Sequence, residues 1–299
     1  MRRTLALAAI SAASLLSRTD ARAEWPPPLD VEDLSDPQYW PNDPGYGGQW
    51  NLWSFVGEAA QGTVRSEELA MGSGFHADRA WQRTTGDSRV VIAVLDSGIK
   101  WHDGDLVTKY FLNAAELPRP HANCRGEAWS ADDPDDSNGD GIFSMRDWAL
   151  PSEDGLPRTS CDPLVSDQNG NTLIDPQDLI AAFEDGVDDD ANGYVDDISG
   201  WDFFDGDNDA NDDTDFGHGT AEANDSAAAA NDGRGDAGVC PDCRLLMVRV
   251  ADSFVCEVND WAMGALFAVD SGVSVIQEAL GSIDNSTLSR DAIEYAYAN

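Results

Sequence analysis

Two motifs in this sequence place residue types suited to proton transfer. His218 stands between two glycines in Asp215-Phe216-Gly217-His218-Gly219-Thr220, at the entry to the alanine-rich run Ala221 to Ala230. The glycines let other backbone approach the ring closely, and an imidazole can take and return a proton near neutral pH. Asp96 closes the apolar run Val90-Val91-Ile92-Ala93-Val94-Leu95 and is followed by Ser97-Gly98. A carboxylate there could orient the His218 ring and stabilise its cation. Taken alone, the stretch is equally suited to Asp96 capping the turn that follows.

A second chemistry is written into the acids between Asp132 and Asp215. Asp136, Asn138, Asp140 and Asp147, with Gly141 at the sixth position, follow the spacing of a calcium loop, which takes oxygen ligands from positions 1, 3, 5 and 12 around a glycine turn. Asp167, Asn169, Asn171 and Asp178 repeat that spacing, with Thr172 in place of the glycine. In the third window Asp188, Asp190, Asn192, Tyr194, Asp196 and Asp197 set alternate oxygen groups around Gly193. The expected cofactor is structural Ca2+, since a hard cation takes six to eight oxygens. The competing reading is acidic turns that cap themselves.

Elements able to position these groups are legible on either side of the acidic stretch. The run Val90 to Leu95 is β-branched and apolar throughout, as in a strand buried on both faces of a parallel sheet. Its carboxyl end is where open α/β sheets build their sites. After His218 the pattern predicts a helix over Ala221 to Ala230 and a strand over Leu245 to Val250. A helix over Asn259 to Val269, a strand over Val273 to Ile276 and a helix over Leu288 to Ala298 follow. Gly272 is placed to end the middle helix and Ser286 or Thr287 to cap the last. Such alternation makes the fold class α/β, with a doubly wound, mainly parallel sheet. A short helix over Ala77 to Arg83 leads into the first strand, and the aromatic segment Gly47 to Trp53 is expected to dock on the main body.

The chain has 299 residues and a net charge of −38, which excludes nucleic acid and anionic membrane surfaces as partners. Met1-Arg2-Arg3, the apolar run Leu5 to Leu16 and Ala21-Arg22-Ala23 read as a signal peptide over residues 1–23, so a secreted, extracellular protein is expected. No later stretch is long and apolar enough to span a bilayer. A Pro-rich irregular arm covers 24–45. In an oxidising compartment the expected disulfides are Cys124 to Cys161 and Cys240 to Cys243, with Cys256 unassigned. Cys240 and Cys243 as half of a zinc site would need a second ligand pair, which the sequence does not offer.

Together these residues resemble the subtilisin-like serine peptidases. Val91 to Ile99 with Asp105-Leu106 is similar to that family's aspartate motif, and Gly217-His218-Gly219-Thr220 to its histidine motif. Gly235 to Pro241 leading into Leu246 to Val250 resembles the strand after the histidine helix, and Val275 to Ser282 the substrate-binding strand. Gln49-Trp50-Asn51-Leu52 and Asn192 to Asp197 with Trp201-Asp202-Phe203 resemble calcium-rich bacterial members. The resemblance implies peptide-bond hydrolysis by a triad in the chain order Asp, His, Ser, with Asp96 holding the imidazole and His218 as general base. It also implies that Ala279, Leu280 and Gly281 pair with an extended polypeptide substrate. The peptidase domain would occupy 46–299 of a monomer, incomplete at its C-terminal end, with the acidic insertion over about 113–215.

Several positions depart from that pattern. Ala221-Glu222-Ala223-Asn224 stands where the family usually has His, Val, Ala and Gly, and Gln277 and Ala279 replace a usual Asn and Ser. No Gly-Thr-Ser nucleophile motif occurs in the sequence. The chain as written is expected not to cleave peptides, because a triad without its nucleophile keeps little activity. The alternatives are a non-catalytic secreted calcium-binding or adhesion module, and a metal-dependent hydrolase built on His218.

Overall fold

The computed structural model describes residues 24–120, 124, 136–214 and 216–299. The signal peptide read over 1–23, the acids from Asp132 to Asp135, and Asp215 lie outside them. Three short helices, α1 (Glu58–Gln61), α2 (Ser66–Leu69) and α3 (Ala77–Trp81), precede the first strand, β1 (Val91–Asp96). The acidic stretch contains β2 (Ala149–Pro151), β3 (Pro157–Ser160), α4 (Pro176–Phe183) and β4 (Gly200–Asp202). Then come α5 (His218–Ala227), β5 (Arg244–Arg249), α6 (Val258–Asp270), β6 (Val275–Glu278) and α7 (Thr287–Ala298).

The main sheet has four parallel strands in the order β4-β5-β1-β6. Every residue of β1 is buried, as its apolar, β-branched sequence requires, and alternate side chains serve opposite faces. Ile92 and Val94 join Leu245 and Met247 against Ala223 and Ala227 of α5. Val91, Ala93 and Leu95 join Leu246 and Val248 against Ala262 and Ala265 of α6 and Ala292 of α7. Helices therefore cover both faces, and the expected doubly wound α/β fold is what the chain adopts.

Boundaries shift for local reasons. The helix expected from Ala221 begins at His218, because Gly217, at φ 67°, turns the chain into it. It ends at Ala227, where the amides of Gly238, Val239 and Cys240 take the carbonyls of Ala228, Asp225 and Ser226. The strand expected over Val273 to Ile276 starts two residues later. Gly272, at φ 79°, closes α6, and the Val273 amide is still bonded to Ala268. Ser286 caps α7 by accepting from the Ser289 amide.

The aromatic segment docks as expected. Tyr46, Leu52 and Trp53 form a separate core with Trp81 and Ala237, and the Gln49 amide both donates to the Ala237 carbonyl and accepts from its N–H. Cys124–Cys161 and Cys240–Cys243 are bonded, and Cys256 is buried and free. Among the described residues no helix is long and apolar enough to cross a membrane.

Candidate active site

β1 delivers Asp96 to the carboxyl edge of the sheet and α5 begins with His218, so the two meet at one strand end. His218 Nδ1 lies 2.8 and 3.0 Å from the two Asp96 oxygens. Asp96 is fully buried, and its Oδ1 also accepts from the Ser97 amide. The His218 side chain keeps 20% of its surface exposed.

Close approach fixes the ring. A Cβ on Gly219 would stand 2.2 Å from the Gly98 carbonyl oxygen and 3.0 Å from Asp96 Cβ, so the first turn of α5 can lie on the end of β1 only with glycine there. The Gly219 N–H donates to Ser97 Oγ at 2.9 Å, and Thr220 Oγ1 donates to buried Asp212 at 2.6 Å while accepting from the Lys100 amide. Among the described residues, the side chains grouped closely enough to hold a metal ion are Glu116, Asp188 and Asp190, and His218 is not one of them.

The three acidic windows all fold as turns around their first aspartate. Asp136 accepts from the amides of Gly139, Asp140 and Gly141. Asp167 does the same for Gly170, Asn171 and Thr172, and Thr172 takes the left-handed conformation, φ 73°, that Gly141 takes in the first window. Asp188 accepts from Asn192 and Gly193. The twelfth-position acids are buried and held by amides. Asp147 accepts from Asn138 and Ser144, and burial pushes its carboxyl up to about 6. Asp178 accepts from Gln168 and Asp175, and burial raises it too. Asn138 Nδ2 reaches Asp140, and Asn169 and Asn171 turn their amides to Asp175, an acid the sequence reading passed over.

At the third window two of its carboxylates meet one from outside it. Glu116, Asp188 and Asp190 each bring an oxygen within 4.8 Å of the others, the one such trio among the described residues. Asp197, pushed up to about 7 by burial, accepts from Asn113 and Asn192, and Asn113 also reaches Asp190. Asp196 turns instead to the amides of Asp185 and Gly186, and Tyr194 packs its ring on Trp201, Phe203 and Phe267. Glu116 was missed by sequence reading, since nothing local marks it.

Comparison with known proteins places the chain in a family. The subtilase-family model matches residues 87–299, a span that holds Asp96, His218 and the whole parallel sheet. The chain belongs to the subtilase family. It is 38% identical over 122 residues to a thermophilic serine proteinase of Bacillus sp. (strain AK1), a match covering 40% of this chain and 29% of the relative. It is 38% identical over 104 residues to thermitase of Thermoactinomyces vulgaris, covering 33% and 36%. The matches thus span about a third of the relatives' length. A solved protease structure from Pseudoalteromonas arctica is 22% identical, with a TM-score of 0.38, over 86% of this chain and 56% of that one.

This subtilase has an unusual group beside its histidine. Glu222, one turn along α5, places Oε1 3.9 Å from His218 Nε2 while its Oε2 accepts from Gln277 Nε2 at 2.8 Å. Burial raises the Glu222 carboxyl, against the pull of His218. Phe216 and Phe254 flank the ring, 6.2 and 6.1 Å between centres. Of the expected substrate strand, Ala279 is exposed and Leu280 half-buried. The Gly281 N–H and carbonyl are already bonded to Phe254 and Cys256, so the subtilase's own chain lies along that part of the edge.

Proposed function

We propose that this chain carries the acid and the base of a secreted, calcium-stabilised serine endopeptidase of the subtilisin type. The observation that carries the reading is the bond from His218 Nδ1 to buried Asp96, 2.8 Å long, on a side chain that keeps 20% of its surface exposed. In this role Asp96 remains ionised, fixes the tautomer with the proton on Nδ1 and stabilises the imidazolium that forms. His218 Nε2 takes the proton of a serine hydroxyl as its oxygen attacks the peptide carbonyl, then passes it to the departing amine. Residues 1–299 contain no Gly-Thr-Ser motif to supply that serine, so the chain as given holds two of the three groups the mechanism needs.

The rest of the reading follows the sequence. Residues 1–23 direct secretion, 24–45 form the arm, and 46–299 carry the peptidase domain, interrupted over about 113–215 by the acidic insertion. Extended polypeptide is the substrate, aligned along Ala279, Leu280 and Gly281 once the Phe254 to Cys256 segment gives way. Calcium would be held by the three windows: Asp136, Asn138, Asp140 and Asp147; Asp167, Asn169, Asn171 and Asp178; Asp188, Asp190, Asn192, Tyr194, Asp196 and Asp197. There it would neutralise clustered carboxylates and stabilise the fold.

Casein hydrolysis tests the catalytic half. The 299-residue chain should leave unfolded casein intact, whereas a product extended in frame through the serine segment should cleave it, and His218→Ala in that product should abolish cleavage. Cleavage by the 299-residue chain itself, or an extended enzyme indifferent to His218→Ala, would overturn the assignment.

A further inference from the structure

The third acidic window lacks one part of a calcium loop. Counting from Asp188, the twelfth position, which normally contributes a two-oxygen acid, is Ser199. That serine is buried and donates its hydroxyl to the Phe111 carbonyl at 2.8 Å, so it faces other backbone. The loop has no closing acid of its own.

A distant residue stands in that place. Glu116 belongs to a turn in the long connection between β1 and β2, where the Asn113 side chain bonds Asp190 and Asp197 and the Asn113 backbone amide donates to the Ile198 carbonyl. Glu116 is 4% exposed. Its Oε1 accepts from the amides of Asp189 and Asp190, at 2.9 and 3.0 Å, 73 and 74 positions away in sequence. Its Oε2 is buried without any hydrogen-bond partner. Leaving a buried carboxylate oxygen unmatched is costly, and here Glu116 has oxygens of Asp188 and Asp190 within 4.8 Å. Three carboxylates converging on one point, one of them buried with a vacant acceptor, call for a cation.

We infer that Glu116 is the closing ligand of a divalent-cation site shared with Asp188 and Asp190, taking calcium and tying the Asn113 to Glu116 turn to the loop that enters β4. Oxygen-only donors of this number select a hard cation over zinc or copper. This inference rests on the reading of the third window as a calcium loop but is independent of the catalytic assignment. It makes the site a clamp between two distant segments rather than a self-contained loop.

Calcium binding to the full 299-residue chain, counted by native mass spectrometry and followed by calorimetric titration with calcium chloride, tests it. Glu116→Gln keeps the shape of the side chain but removes its charge. It should bind one calcium fewer, or bind at that site at least about tenfold more weakly, and Asp190→Asn should weaken the same site. Asp136→Asn should leave it unchanged. The melting temperature should respond with opposite sign in the two conditions: Glu116→Gln higher than wild type in chelator, where repulsion is relieved, and lower in calcium. If Glu116→Gln fails to fold, exposed Asp190→Asn carries the same test. Unaltered stoichiometry and affinity in Glu116→Gln would overturn the inference while leaving the loop reading intact. No calcium bound by wild type would overturn both.

Discussion

Burial pushes the Asp105 carboxyl up to about 6, and the charges of Asp232 and Asp103 add to the effect while Arg234, 3.6 Å away, opposes it. An ordinary aspartate titrates near 3.9, so the folded chain binds this proton more tightly than the unfolded chain does. Its contribution to stability is therefore greatest below about pH 4, falls as pH rises to about 6, and is flat above. Urea unfolding of wild type and Asp105→Asn from about pH 4.5 to about pH 7 should show wild type losing ground to the variant across that window; parallel curves would refute this origin. At this scale the sequence shows what lies in a local motif. Asp96 ends an apolar strand and His218 sits between glycines, and both were legible. Glu222 was legible only as a departure from the family pattern, although it stands one helical turn from His218, and Glu116 was not legible because its partner Asp189 lies 73 positions away.

Among the elements, the junction of β1 with α5 decides whether acid and imidazole meet. Gly219→Ala would drive a methyl to 2.2 Å from the Gly98 carbonyl. Since that atom is backbone, the helix start must move, at a cost of about 1–3 kcal/mol for overpacking. Denaturant titration measures the loss, and an unchanged midpoint would show that the two elements are not held as described. The strands β1 and β5 and the helices α6 and α7 were legible because each carries a sustained apolar period. In the acidic insertion β2, β3, α4 and β4 were not read. β2 and β4 have three residues each, too few to show a period, and α4 starts at Asp175-Pro176 inside a run of acids whose spacing suggested loops.

For the molecule as a whole, a net charge of −38 opposes compaction, and the proposed calcium, bound only by the folded chain, would offset it. One site held at 100 times its dissociation constant adds about 2.7 kcal/mol. Chelation should accordingly lower the melting temperature and added calcium restore it, as read by calorimetry; an unchanged melt would remove calcium from the account. The doubly wound arrangement was legible from the alternation of strands and helices. Exposure along β6, whose Val275 and Glu278 face solvent at the edge of the sheet, was not, since an apolar run looks the same at an edge as in the centre. The central claim is that Asp96 and His218 activate a serine. Labelling the native protein with a fluorophosphonate and mapping the modified residue tests it most directly. The account predicts label on a serine outside residues 1–299, lost in both His218→Ala and Asp96→Asn. Label on a serine within those residues, label that survives His218→Ala, or none at all would contradict it.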